Sequence, residues 1–165
     1  MYRQNYLAHA ISRASDGRGE ALFLTRHPDG AEVTYADFWR NAERMAAVLV
    51  AAGVTPGDRV AVQAPKTIAM LELYVGCVLA GGVFLPLNTA YTPAEVEYFL
   101  SDATPRVFVC DPARLEALTP IAKAAGVAQV FTLGADEEGS LTEAQRDAAP
   151  GFVAVARGVD DLAAI

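Results

Sequence analysis

Between Arg59 and Leu133 the chain alternates short apolar runs, rich in β-branched residues, with stretches of helical periodicity. "RVAVQA" reads as a strand, a helical pattern follows from about Lys66 to Leu79, and "VFLPL" reads as the next strand. A helix over Ala94 to Asp102, the strand "RVFVC", a helix begun by Asp111-Pro112 and a strand near "AQVFTL" repeat the pattern. Strands apolar on both faces belong in a parallel sheet, and the intervening helices have to cover it on both sides. Because such crossovers are almost always right-handed, the expected fold is α/β, a doubly wound layer structure or part of one. At 165 residues one core is the default.

Ahead of this alternation, a helix near Tyr6 to Ala14 leads into "ALFLTRHPDGAEVTY". Two β-prone runs are split there by His27-Pro28-Asp29-Gly30, turn chemistry that closes a hairpin. The helix that follows places Phe38, Ala42, Met45, Ala46 and Leu49 at core spacing. Thr34 with Asp37 three residues on provides its cap, Val33 and Phe38 stand at staple spacing, and Gly53 stops it.

"GGVFLPLNTAYTP" resolves into a strand, a short polar loop from Asn88, and a helix start. Thr92 is the cap, Pro93 the first helical residue and Glu95 the return partner of a capping box. Pro86 has no amide hydrogen to give, so the sheet is expected to end or bulge there. The loop falls at the carboxyl end of its strand, where open α/β sheets place ligand crevices. Asn88 itself reads as a turn-closing residue. In "GADEEGSLTEAQRDAAPG", Ser140 and Glu143 are spaced as a helix cap, which predicts a short surface helix in a linker-like edge. The sequence ends in "VDDLAAI", which reads as a strand cut short.

Composition narrows the partners. With 53% apolar and 20% charged residues the chain packs a core, and a formal charge of -7 leaves no basic stripe for a nucleic acid or an anionic membrane. "MYRQNYLAHAISRAS" has no signal-peptide core, which points to the cytoplasm. The most apolar window is broken by Glu72, Gly81-Gly82 and Pro86, so no membrane span is expected.

Candidate chemical groups are few. Cys77 and Cys110 lie in apolar runs and read as inert core thiols. His9 and His27 are too few to assemble a triad with them. Lys66 stands near a helix start, where the dipole disfavours a cation, and reads as a solvated lysine or a partner for an anion. Asp136-Glu137-Glu138 and Asp160-Asp161 read as solvated loop charges, and Tyr35, Phe38 and Trp39 as core and rim. No phosphate-binding Gly-rich loop is present: "DGRGE" lacks a following Lys-Ser or Lys-Thr, and "AGGVFLP" runs into a strand.

"VTYADFWRNAERMAAVLVAAGVTPGDRVAV" and "LAGGVFLPLNTAYTPAEVEYFLSDATPRVFV" resemble, in order and spacing, early motifs of the adenylate-forming acyl-CoA synthetase and ligase superfamily. Within it, "QAPKT", "PLNTAYT", "VCDPAR" and "RGVDDLAAI" look most like the malonate-activating branch, the malonyl-CoA synthetases. The resemblance implies the first part of a large N-terminal domain in an AMP-forming ligase. Such an enzyme joins malonate, or a close short dicarboxylate, to CoA through an acyl-adenylate, using ATP and Mg2+. It also implies that the phosphate loop and the adenine, magnesium and acyl sites follow the strand matching "DLAAI". Residues 1 to 165 therefore carry no catalytic, cofactor-binding or metal-binding residue of the family, this stretch alone is expected to be inactive and to bind none of these cofactors tightly, and the rest of the polypeptide packs on it. Two other readings stand beside this one: a self-contained α/β nucleotide- or ligand-binding module, and an interaction domain that pairs through an apolar C-terminal edge.

Overall fold

A computed structural model describes residues 4–27 and 29–165. Pro28 of the expected hairpin turn, and residues 1–3 of the segment read for a signal peptide, lie outside the described residues. α1 (Tyr6–Ala14) precedes a hairpin of β1 (Leu22–Thr25) and β2 (Glu32–Thr34), which pair antiparallel. α2 (Tyr35–Ala51) follows directly, with Thr34 Oγ1 accepting the Asp37 amide at 3.1 Å as the cap spacing requires. Gly53 ends that helix at φ +87, a conformation open to glycine at little cost.

The remaining strands, β3 (Arg59–Gln63), β4 (Val83–Pro86), β5 (Val107–Cys110) and β6 (Gln129–Thr132), form one parallel sheet in the order β4-β3-β5-β6. Between them run α3 (Ile68–Leu79), α4 (Pro93–Ala103) and α5 (Leu115–Ala124), the last entered through a 3-10 turn over Pro112–Arg114; α6 (Ser140–Asp147) follows β6. The two-sided sheet anticipated from the apolar runs is present. Val60, Val62, Val107 and Val109 face a core shared with α1, α2, α3 and Leu141 of α6. Ala61, Phe108 and Cys110, one residue out of phase, face Val96 and Leu100 of α4 and Leu118 and Ala122 of α5. Each such aliphatic side chain is fully buried, and burial of this kind contributes roughly 1.5–3 kcal/mol per Val or Leu.

Several boundaries move for identifiable reasons. α3 begins at Ile68 because Thr67 caps it, its Oγ1 accepting the Met70 amide at 3.2 Å, which leaves Lys66 outside the helix. Pro86 is the last residue of β4, at the sheet edge where its missing donor costs nothing. The capping box at α4 forms in full, with Glu95 Oε2 accepting the Thr92 amide at 2.8 Å.

The reading of Ser140 as a cap needs correction. Ser140 is the first residue of α6, Gly139 precedes it without a side-chain cap, and the Ser140 hydroxyl accepts the Thr132 amide at 3.0 Å while its own amide donates to Thr132 Oγ1 at 2.9 Å. The hydroxyl is engaged by β6 and so does not turn back on its own helix. Nor does α6 lie free on the surface: Leu141, Thr142 and Gln145 are buried. At the other end of the described chain, Ala164 forms an isolated parallel bridge to Phe84, with Phe84 N donating to Ala163 O at 2.9 Å and Ile165 N to Phe84 O at 3.1 Å. No helix among the described residues is long and apolar enough to cross a membrane.

Candidate functional site

The strand order reverses direction at β3. The chain leaves β3 toward β4 on one side and returns across it to β5 on the other, so the crevice position of an open α/β sheet is the carboxyl edge between β3 and β5. Gln63 ends β3 there, 1% exposed. Its amide nitrogen donates to the carbonyls of Asn88, 2.8 Å, and Tyr91, 3.3 Å. From beyond β5, the Arg114 guanidinium donates to the carbonyls of Thr89, 3.2 Å, and Tyr91, 2.8 Å. Asn88 Oδ1 accepts the Ala90 amide at 2.9 Å, closing a turn as its position after a strand predicts. The exposed loop Asn88–Ala90 is thus fixed through its backbone from β3 and from the 3-10 turn that follows β5. Tyr91 stacks on Phe99 at 5.0 Å between ring centroids, which ties the loop to α4.

A second feature lies on the opposite face of β4. An apolar groove of about 740 Å³ runs between the hairpin and α3, walled by Leu24, Ile68, Leu71, Tyr74 and Phe84, with Ala164 at one end. Arg26, His27 and Lys66 stand on its rim. Arg26 is committed elsewhere, to Asp29 and, at 2.9 Å, to Glu137. Lys66 and His27 are exposed.

Of the remaining sequence candidates, the two thiols and the aromatic cluster lie in the core and its rim, whereas Glu137 and Asp161, read as solvated loop charges, each hold partners within the chain. Cys77 and Cys110 are fully buried, and burial pushes their thiols up to about 12 and about 11. Thiolate is the reactive form, so the native chain should take up less than one equivalent of a maleimide or disulfide reagent at pH 8, rising to two on denaturation. Prompt labelling of the native chain would show that one of these sites opens. His9 sits half-buried on α1. Glu137 of the acidic run does not face solvent alone: its Oε1 accepts the Ala69 amide at 3.0 Å and its Oε2 meets Arg26. Asp161 accepts the Gly158 amide at 2.7 Å and lies 3.5 Å from Arg157. Tyr35 stacks on Phe23 at 4.4 Å and Phe38 is buried, a core-and-rim cluster.

Among the described residues no group of three His, Cys, Asp or Glu is placed to hold a metal ion. The chain also has no Gly-rich loop entering a helix with a following Lys-Ser or Lys-Thr.

The parallel sheet, the adjoining hairpin and the fixed loop at the carboxyl edge define an open α/β unit. Residues 11–165 match the AMP-binding enzyme family, and the chain belongs to it. Its fold superposes on ATP-bound MatB from Rhodopseudomonas palustris with a TM-score of 0.91 at 44% identity, covering 98% of this chain and 31% of that one. The long-chain-fatty-acid–CoA ligase FadD13 of Mycobacterium tuberculosis is 35% identical over 131 residues, 78% of this chain and 25% of the ligase. The feruloyl-CoA synthase of an Amycolatopsis species is 40% identical over 93 residues, 56% of this chain and 19% of the synthase. The chain therefore spans less than a third of the length of each of these relatives.

Proposed function

We propose that the chain is the first part of the large N-terminal domain of an ATP-dependent, AMP-forming acid–thiol ligase that converts malonate, or a close short dicarboxylate, to its CoA thioester through an acyl-adenylate. The observation that carries this reading is the 44% identity over 98% of the chain to MatB in its ATP-bound form. The choice of malonate is supported by the resemblance of "QAPKT", "PLNTAYT" and "RGVDDLAAI" to the malonate-activating branch. Relatives named for feruloyl and long-chain fatty acyl groups share the same framework, in keeping with acyl selection by residues outside it. In this reading Mg2+ accompanies ATP, the reaction runs in the cytoplasm as part of acyl-CoA and fatty acid metabolism, and the ligase chemistry lies beyond these residues.

The contribution of residues 1–165 is then a scaffold. Gln63 and Arg114 fix the loop at the carboxyl edge of the sheet, and the apolar groove beside β4 receives the rest of the polypeptide. A groove so apolar beside an edge strand is a surface that folded chains cover.

Incubated with ATP, Mg2+, CoA and malonate, the 165-residue chain should release no pyrophosphate and form no thioester. Joined to the part of MatB beyond the matched region, it should support malonyl-CoA formation. Turnover by the chain alone, or a folded but inert chimera, overturns the proposal. Thermal titration with AMP, ATP and CoA separates the alternative of a self-contained binding module, since saturable stabilisation rising with the logarithm of free ligand would favour it.

A further inference from the structure

Glu72 is the one charged residue of α3, and it is 4% exposed. Its Oε1 accepts the side-chain amide of Asn41 on α2 at 2.8 Å, and its Oε2 accepts that of Gln145 on α6 at 2.8 Å. The Gln145 amide also donates to the Asn41 backbone carbonyl at 3.2 Å. Three helices meet at one carboxyl group. They border a polar crevice of about 310 Å³ whose charged walls are Arg26 from the hairpin turn, Glu137 from the loop before α6, and Arg146 from α6 itself.

Neither guanidinium serves Glu72. Arg26 is bound to Asp29 and Glu137, and Arg146 Nε donates to the Thr142 carbonyl at 3.2 Å. On α2, Arg40, Glu43 and Arg44 adjoin Asn41 in sequence, but none lines the crevice. The carboxyl is thus buried against neutral amides with a second carboxyl, Glu137, in the same crevice. Burial raises its proton affinity above that of an ordinary glutamate, the two amide bonds offset part of this, and the charge of Glu137 adds to it.

The neutral form needs one rearrangement of this geometry and then holds no buried charge. A half-turn of the Asn41 amide presents its oxygen to a protonated Oε1, while Oε2 keeps the bond from Gln145. The ionised form has to stay dehydrated for as long as α6 is docked. α6 is short: Ser140 ties its start to Thr132 of β6, Leu141 is its one fully buried apolar side chain with Ala144 packed beside it, and the Gln145 bridge is what joins its later turn to α2 and α3.

We propose that Glu72 is a proton-operated latch for α6: with its proton the carboxyl clamps α6 to α2 and α3, and on losing the proton it lets α6 lift away. The direction follows from linkage. A carboxyl that binds its proton more tightly in the docked state contributes full clamping below the ordinary glutamate range. That contribution is lost as pH rises through the higher docked-state value. Across that window the open population grows by up to about tenfold per pH unit and then levels off. The latch is independent of the reaction proposed above.

Hydrogen exchange of the full chain between pH 5 and 8, corrected for intrinsic rates, tests it. Protection of the α6 amides should fall several-fold with rising pH, while that of α5 stays level. Glu72→Gln, which keeps a neutral side chain of the same shape, should hold α6 protection level as well. Level protection of α6 in the unaltered chain, or an equal fall in E72Q, overturns the proposal. Should E72Q not fold, the carboxyl-carbon shift of Glu72 in the unaltered chain decides: titration above the ordinary glutamate range is expected, and titration within it removes the latch.

Discussion

Gly76→Ala is expected to lower the stability of the fold by about 2 kcal/mol or more, although alanine is the better helix former. Gly76 lies inside α3 where that helix crosses α2, and an added Cβ would stand 2.5 Å from Met45 Cβ, 2.9 Å from the Ala42 carbonyl oxygen and 3.0 Å from the Ala46 amide. Two of these three neighbours are backbone, which yields only if α2 moves as a body. The gain in helix propensity is about 1 kcal/mol. Overpacking against fixed atoms costs about 3 kcal/mol, so the clash wins. For a domain of this size the melting midpoint should fall by about 4–8 °C. A midpoint that rises would show that the two helices have slack at their crossing.

Asn5→Ala should cost a similar or larger amount, about 3 kcal/mol, through hydrogen bonding instead of shape. Asn5 is 1% exposed and does three things: its Oδ1 accepts the Ala8 amide at 3.1 Å as the cap of α1, and its Nδ2 donates to the carbonyls of Val78, 2.8 Å, and Val155, 3.0 Å. Losing the cap costs about 1 kcal/mol. A buried carbonyl left without its donor costs about 1–3 kcal/mol. Val78 O keeps a bond from the Gly81 amide, so the larger part falls on Val155. Urea unfolding with an unchanged slope and a lowered midpoint is the expected outcome, and Asn5→Asp, which keeps the cap but not the donors, should recover only part of the loss. Equal stability of Asn5→Ala and the unaltered chain would mean that solvent reaches these carbonyls.

Local chemistry made most of the framework readable beforehand. Thr34, Thr92 and Asp111 begin helices or turns where their spacing predicts, because a cap involves residues three apart or fewer. The strands are readable because β-branched runs bounded by Gly, Pro and Asp have few other uses. What escaped is side-chain pairing between distant segments. Gln63 and Arg114 hold a loop 23 to 28 residues away, and Gln145 reaches Glu72 across 73 residues. Periodicity has no register for such contacts. A lone charge in "IAMLELYVGCVL" was the one available sign of the buried node, and in the sequence it served only to break a membrane-length window. Ser140 shows the converse: its spacing to Glu143 satisfies a local rule, yet a strand eight residues upstream claims the hydroxyl.

That claim bears on association between molecules. β6 is the last strand of the sheet, and a terminal strand normally offers outward amides and carbonyls on which a foreign strand can template. With Thr132 N bound to Ser140 and the Val130 carbonyl taken by the Gln129 side chain at 3.2 Å, two of this rim's polar groups are answered from within. Pairing with another chain is thereby hindered at β6, and at the opposite rim the Phe84 amide and carbonyl of β4 are already met by Ala163 and Ile165 of the same chain.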